Sequence, residues 1–234
     1  MGYYFGNISS NYFLMDMLLL FGMLLLPLIA HAVLNSTFRK YSNEYSSRGL
    51  TAEQAARKIL DNNGLYHIRI ERVSGSLSDY YSSSENVIRL SDSTYGKTSI
   101  AAIGVAAHEC GHACQYAENY APMILRNKVA PVMGFCSRFW YIAFILGCFF
   151  TFLPFLMYVG IAMFCAVVLF QLITLPMELD ASHRALKTLE ADAILESSEI
   201  SPARKVLTAA AMTYVVSLAT SAMQLIRLLL RARR

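Results

Sequence analysis

The sequence predicts a mainly α-helical membrane protein that carries one small α+β module. Three observations predict it. Hydrophobic residues make up 56% of the 234 residues and charged residues only 15%, well below the roughly 25% charged share of soluble domains. The apolar residues are gathered into long segments, at 11–34, 139–175 and 206–230. Residues 36–97, by contrast, carry the capping and alternation signals of a soluble fold. The net charge of +4 comes from Lys and Arg scattered along the polar segments with no aromatic-basic stripe. That pattern fits membrane topology and excludes a nucleic-acid partner.

Residues 1–35 form an N-terminal transmembrane anchor. The stretch 11–34 is long enough for the ~30 Å hydrocarbon core. "AHA" at 30–32 resembles a signal-peptidase site, but Met1 to Tyr12 contain no basic residue, as a signal would. The first positive charges, Arg39 and Lys40, follow the segment and place its C-terminal end in the cytoplasm.

Residues 36–130 form the module. Thr51 and Gln54 stand in capping-box register before a helix that Gly64 ends. Tyr66, Ile68 and Ile70 alternate with His67, Arg69 and Glu71 as in a half-buried strand, and a second strand is expected at Val87–Leu90. Thr98 is positioned to cap a long helix that has no proline inside it.

Residues 131–176 are read as a transmembrane hairpin. As one helix, 139–175 would be roughly 55 Å long, so a break is expected near Pro154. A helix at 177–204 follows, then an apolar helix and basic tail at 205–234. The last segment contains Thr208, Thr213, Ser217, Thr220, Gln224 and Arg227. This amphipathic character favours an interfacial or packed helix over a further membrane span. The cysteines at 110, 114, 136, 148 and 165 form no CxxC pair and no disulfide framework, and they read as small packing residues.

The chemistry lies in "AAHECGHACQ", residues 106–115. On a helix His108 and His112 share one face and can aim both imidazoles at one point, as a tetrahedral zinc requires. Glu109 lies one position round, where it can act as a general base on water activated by that metal. Two polar side chains on a solvated face explain the pattern poorly, because their neighbours are Ala, Val, Gly and Cys. A catalytic zinc needs a third protein ligand. Gln115 and Glu118 stand where a metzincin extension would need Gly and His, and Glu118 faces away. Glu178 in "LPMELDASHRAL" leads, with Asp180, His183, Glu190 and Asp192 as alternatives.

Four blocks, "KYSNEYSSRGLTAEQAARKILDNNGLYHIRIERV", "AAIGVAAHECGHACQYAENYAPMILRN", "LFQLITLPMELDASHRAL" and "ARKVLTAAAMTYV", resemble the YugP-type membrane zinc metallopeptidases of bacteria, in order and from about residue 36 onward. The layout is also similar to HtpX and the CAAX prenyl proteases, in which a membrane hairpin separates HExxH from an ExxxD helix. The resemblance implies a zincin-like module, zinc bound by His108, His112 and Glu178, and Glu109 as general base. It departs from that layout at Ser182, which stands where the second pattern has Asp, and in carrying Cys110 and Cys114 where branched apolar residues are usual.

The expected protein is a gluzincin-like endopeptidase acting on peptide or protein substrates from the bacterial plasma membrane. Basic residues before and after the hairpin place the module in the cytoplasm. The strand at Val87–Leu90 is expected to offer its edge to an extended substrate. For the oxyanion donor His183, Arg184, Tyr214, Tyr80 and Tyr81 remain open. The competing reading is a membrane scaffold with a structural zinc, which would need a fourth ligand from Asp180 or His183. A metal transporter would need ionisable residues within its spans. The segments 11–34 and 139–175 carry only Asp16 near one end, with His31 and Arg138 at their margins.

Overall fold

Nine elements follow one another along the chain. They are α1 (Gly2–Tyr41), α2 (Ala52–Asn62), β1 (Arg69–Val73), β2 (Tyr80–Ser82), β3 (Val87–Ser91), α3 (Ile100–Ala117), α4 (Ala121–Phe149), α5 (Phe155–Ala191) and α6 (Ser197–Ala232). This is a computed structural model that describes residues 2–150 and 153–232; Arg233 and Arg234 of the basic tail lie outside the described residues. The chain divides into two compact units. One comprises Met1–His31, Lys128–Ile173 and Tyr214–Arg234; the other comprises Ala32–Asn127 and Thr174–Thr213.

The first unit is a helical membrane layer. Helices α1, α4, α5 and α6 are each long and apolar enough to cross a bilayer. Phe13, Leu18, Phe21 and Leu24 of α1 are exposed, which is the surface lipid tails would cover. Helices α4 and α5 meet as the expected hairpin around Pro154 and touch backbone to backbone. A Cβ on Gly160 would lie 2.6 Å from the Phe144 nitrogen and 2.7 Å from the Trp140 oxygen. The Trp140 and Phe164 rings stack beside it with centroids 4.5 Å apart. Leu228 of α6 is buried in the cluster formed by Phe144, Ile161 and Phe164.

Helix α6 bears on one expectation. The polar side chains of 206–230 suggested an interfacial or packed helix; Val206 and Leu207 are buried among residues of the α+β unit, and the segment lies within a 36-residue helix long and apolar enough to cross. Its most polar residue is neutralised by α1: Arg227 donates to the Asp16 carboxylate from Nε at 2.7 Å and from an Nη at 3.2 Å. Thr213 and Thr220 turn their hydroxyls back onto carbonyls of their own helix. Paired and back-bonded in this way, polar residues cost a membrane helix far less than composition implies.

The second unit is the α+β module. Thr51 and Gln54 complete their capping box, with backbone-to-side-chain distances of 3.0 and 3.4 Å. Gly64, at φ +71°, follows the end of α2. The sheet order is β1-β3-β2, with β1 parallel and β2 antiparallel to β3. The strand at 87–91 is therefore central and hydrogen-bonded on both sides. It offers no edge to a substrate, contrary to expectation. Helix α3 is capped by Ser99, whose hydroxyl accepts from the Ala102 N–H at 3.4 Å, rather than by Thr98. Thr98 instead gives its carbonyl to the Ser46 N–H at 2.9 Å.

Helix α3 is the core of this unit. Ala101, Ala102, Ile103, Ala106 and Ala107 are almost wholly buried, as expected of a helix apolar on nearly every side. Around it pack α2, β2, β3, the C-terminal half of α5 and the N-terminal half of α6. The sequence sets a separate helix at 177–204, but α5 runs unbroken through Pro176 as far as Ala191. It stops where Ala193 takes a φ of +49° and the Ile194 N–H returns to the Leu189 carbonyl.

Candidate metal centre

Helices α3 and α5 come into backbone contact at Gly111. A Cβ there would lie 2.7 Å from the Ala181 carbonyl oxygen, so only glycine permits the contact. The close approach brings α5 against the His108–His112 face.

Glu178 lies between the two imidazoles. Its Oε2 is 3.3 Å from Nε2 of His108 and 3.3 Å from Nε2 of His112. Among the described residues these three form the one cluster with metal-ligating geometry, their ligand atoms lying within 4.8 Å of one another. Zinc bonds of about 2.0–2.1 Å arranged tetrahedrally separate neighbouring ligand atoms by about 3.3–3.4 Å. The observed spacing matches that edge. Glu178 Oε2 is also fully buried without a hydrogen-bond partner. An orphaned carboxylate oxygen of this kind is costly unless a cation or its equivalent satisfies it. The donor set therefore fits a zinc ion.

Both histidines are held from behind. His108 Nδ1 lies 3.1 Å from Ser182 Oγ, and His112 Nδ1 lies 2.9 Å from Gln115 Oε1. With Nδ1–H donating to those oxygens, each ring presents Nε2 as the free donor atom. Gln115, completely buried, donates its amide to the Met177 carbonyl and to Asp180 Oδ2, each at 2.8 Å. Asp180 also accepts from Arg184 Nε at 2.6 Å, and Arg184 reaches Glu118 at 2.7 Å. Ser182 thus occupies the supporting place that the ExxxD pattern gives to a carboxylate. Gln115 is the residue that sequence reasoning passed over. Its signal was its position, three residues after His112 on the same face.

Glu109 is buried beside the pair. Burial raises its carboxyl above the ordinary range, and the neighbouring His108 and His112 pull it partly back. For His112, burial lowers the imidazole, but the carboxylates of Glu178 and Glu109 outweigh it and the net shift is upward. Cys110 turns towards α2, with Sγ 3.6 Å from the Ala56 carbonyl. Burial pushes its thiol well up, and that of Cys114 up to about 11, so neither is poised as a thiolate.

The alternative third ligands lie elsewhere. Asp180 is engaged with Gln115 and Arg184, His183 is exposed, Glu190 lies at the far end of α5 and Asp192 just beyond it. Of the oxyanion-donor candidates, Tyr81 packs its ring 6.3 Å from that of Tyr116 on α3, while Tyr80 stacks under Arg89.

The comparisons agree with this chemistry. A family described as "Putative neutral zinc metallopeptidase" matches residues 16–233. The chain is also 43% identical over 192 residues to the "Putative membrane protease YugP" of Bacillus subtilis (strain 168), covering 82% of this chain and 85% of that protein. No solved structure matches. With the match extending over both units and the His108–His112–Glu178 cluster at the centre of one of them, the chain belongs to the YugP-type family of neutral zinc metallopeptidases.

Proposed function

We propose that the protein is a membrane-embedded zinc endopeptidase in which His108, His112 and Glu178 hold the metal and Glu109 is the general base. The observation that carries this reading is the buried, unpartnered Glu178 oxygen set 3.3 Å from both imidazole nitrogens. Three protein ligands, with Asp180 and His183 otherwise placed, favour a site with one position left for substrate or water over a closed structural zinc.

Zinc held there would supply a Lewis acid that polarises a scissile carbonyl and acidifies water. The chain does the rest. Glu109 accepts a proton from water on its carboxylate and returns it to the departing amine nitrogen as the C–N bond breaks. A carboxyl raised by burial is matched to that two-way task. Ser182 and Gln115 fix the ring tautomers. Of the sheet's two outer edges, β1 and β2, we assign the extended peptide to that of β2, which lies beside α3 through Tyr81 and Tyr116. We place the module on the cytoplasmic side of a plasma membrane, from the basic residues that flank the hairpin.

The test combines metal analysis with peptide cleavage. Intact protein should hold about one zinc per chain. Glu109→Gln should keep the metal and lose cleavage by about 10²–10⁴-fold. Equal cleavage by the two proteins would overturn the mechanism and restore the scaffold reading.

A further inference from the structure

A groove of about 750 Å³ lies between the last turns of α1 and the first turns of α6, within the α+β unit. Its two walls are graded alike. On α1, Val33 is nearest the apolar run, with Lys40 and the buried Tyr41 at the far end. On α6, Ala209 and Met212 are nearest the apolar run, with Lys205, Arg204 and Ser201 farther away. Both helices thus set apolar side chains at the end of the groove next to their membrane stretches and basic ones at the other end.

Between the two ends lie hydroxyls, from Ser36 and Thr37 on one wall and Thr208 on the other. Among the described residues no acidic side chain lines the groove. Lys40, Arg204 and Lys205 are all exposed and make no ion pair among those residues. Lys40 only lies over the Tyr41 ring, 5.1 Å from its centroid. Three uncompensated cations beside hydroxyl donors, running into an apolar floor at the end of two membrane helices, are complementary to one kind of molecule. It has a phosphodiester at one end and an acyl chain at the other.

We propose that this groove binds an anionic phospholipid, its headgroup phosphate held by Lys40, Arg204 and Lys205 and the start of its acyl chain laid against Val33 and Met212. The lipid would act as a clamp between the ends of α1 and α6. The site does not depend on peptidase activity, so its test and that of the zinc mechanism fail separately.

The experiment uses the full chain in micelles, with native mass spectrometry counting retained lipid. Wild type should retain phosphatidylglycerol in preference to phosphatidylcholine. The triple variant K40Q/R204Q/K205Q should retain about tenfold less or lower still. A control of equal charge loss, K58Q/K97Q/K187Q, should retain as much as wild type. Millimolar inorganic phosphate should not displace the lipid, because the apolar half of the site gives it nothing to hold. Displacement by phosphate alone would make this an anion site and refute a lipid. Equal retention by the groove variant and wild type would also refute it. Should the triple variant misfold, phosphatidylglycerol with a photoreactive acyl chain on the wild-type protein decides. Crosslinks should map to residues 33–41 and 201–212, and their absence there would refute the proposal.

Discussion

Gln115 gives its amide oxygen to His112 on α3 and anchors its amide nitrogen twice on α5. One buried side chain thus sets a ring tautomer and the register of two helices. Gln115→Leu should lower Tm, by leaving the Met177 carbonyl without its partner, and weaken zinc binding about 10–100-fold, as read by competition with a chromogenic chelator. Glu178→Ala should strip the metal, whereas Asp180→Ala should retain it with a smaller loss of affinity. Protons compete for the same donor atoms. In the metal-free site His112 is raised, so its contribution to stability is fully present below its ordinary value and is lost as pH rises through the folded one. Zinc affinity should accordingly increase with pH over that range, with proton release on binding measurable in weakly buffered solution. The HExxH residues are legible because their relation is local, within one turn and a half. Gln115 was not, because its second partner, Asp180, is 65 residues away across the hairpin.

At the level of elements, the contact between α3 and α5 is set by what is absent from Gly111. Gly111→Ala places a methyl group 2.7 Å from a backbone oxygen that cannot rotate away. The expected loss is about 1–3 kcal/mol, with a larger loss of zinc, seen as a lowered Tm and an emptied site in the same sample. Long helices and the capping box of α2 were readable because their signals recur every turn or lie within four residues. Strand β2 was not. Three residues, Tyr80–Ser82, are too few to show alternation, and its place at the edge follows only from the parallel pairing of β1 with β3. Ser99 took the cap from Thr98 because the Thr98 carbonyl is committed to Ser46. Neighbouring residues of the same type cannot be told apart without that bond.

Across the whole molecule, the unsettled quantity in the sequence was how many times the chain crosses the bilayer. Composition counted Arg227 against α6; pairing with Asp16 removes that objection, since a salt-bridged cation can lie within a helical layer. On the proposed orientation, a crossing α6 would put residue 232 on the side of the membrane opposite residue 60. Cysteine-accessibility labelling should find a residue near 232 and one near 60 on opposite faces of the membrane. The same face for both would return α6 to the interface. The basic tail then stands as an exception to the charge rule. No reading of composition could have foreseen this, because Asp16 and Arg227 stand at opposite ends of the chain.

The order of the proposed ligands along the chain also governs when the site can exist. His108 and His112 leave the ribosome first, on α3, and Glu178 follows only after α4 and the first half of α5. At about 5–20 residues per second, the nascent chain spends several seconds with a two-histidine half-site that cannot close around an ion. Helix α1, made before either half of the donor set, has by then already supplied an apolar segment long enough to hold the chain at a bilayer. On the proposed ligand set, a complete zinc site would therefore form only on a chain that already carries α1, α4 and most of α5. Nascent chains arrested after Val168 should carry no tightly held zinc, while chains released at full length into vesicles should acquire it.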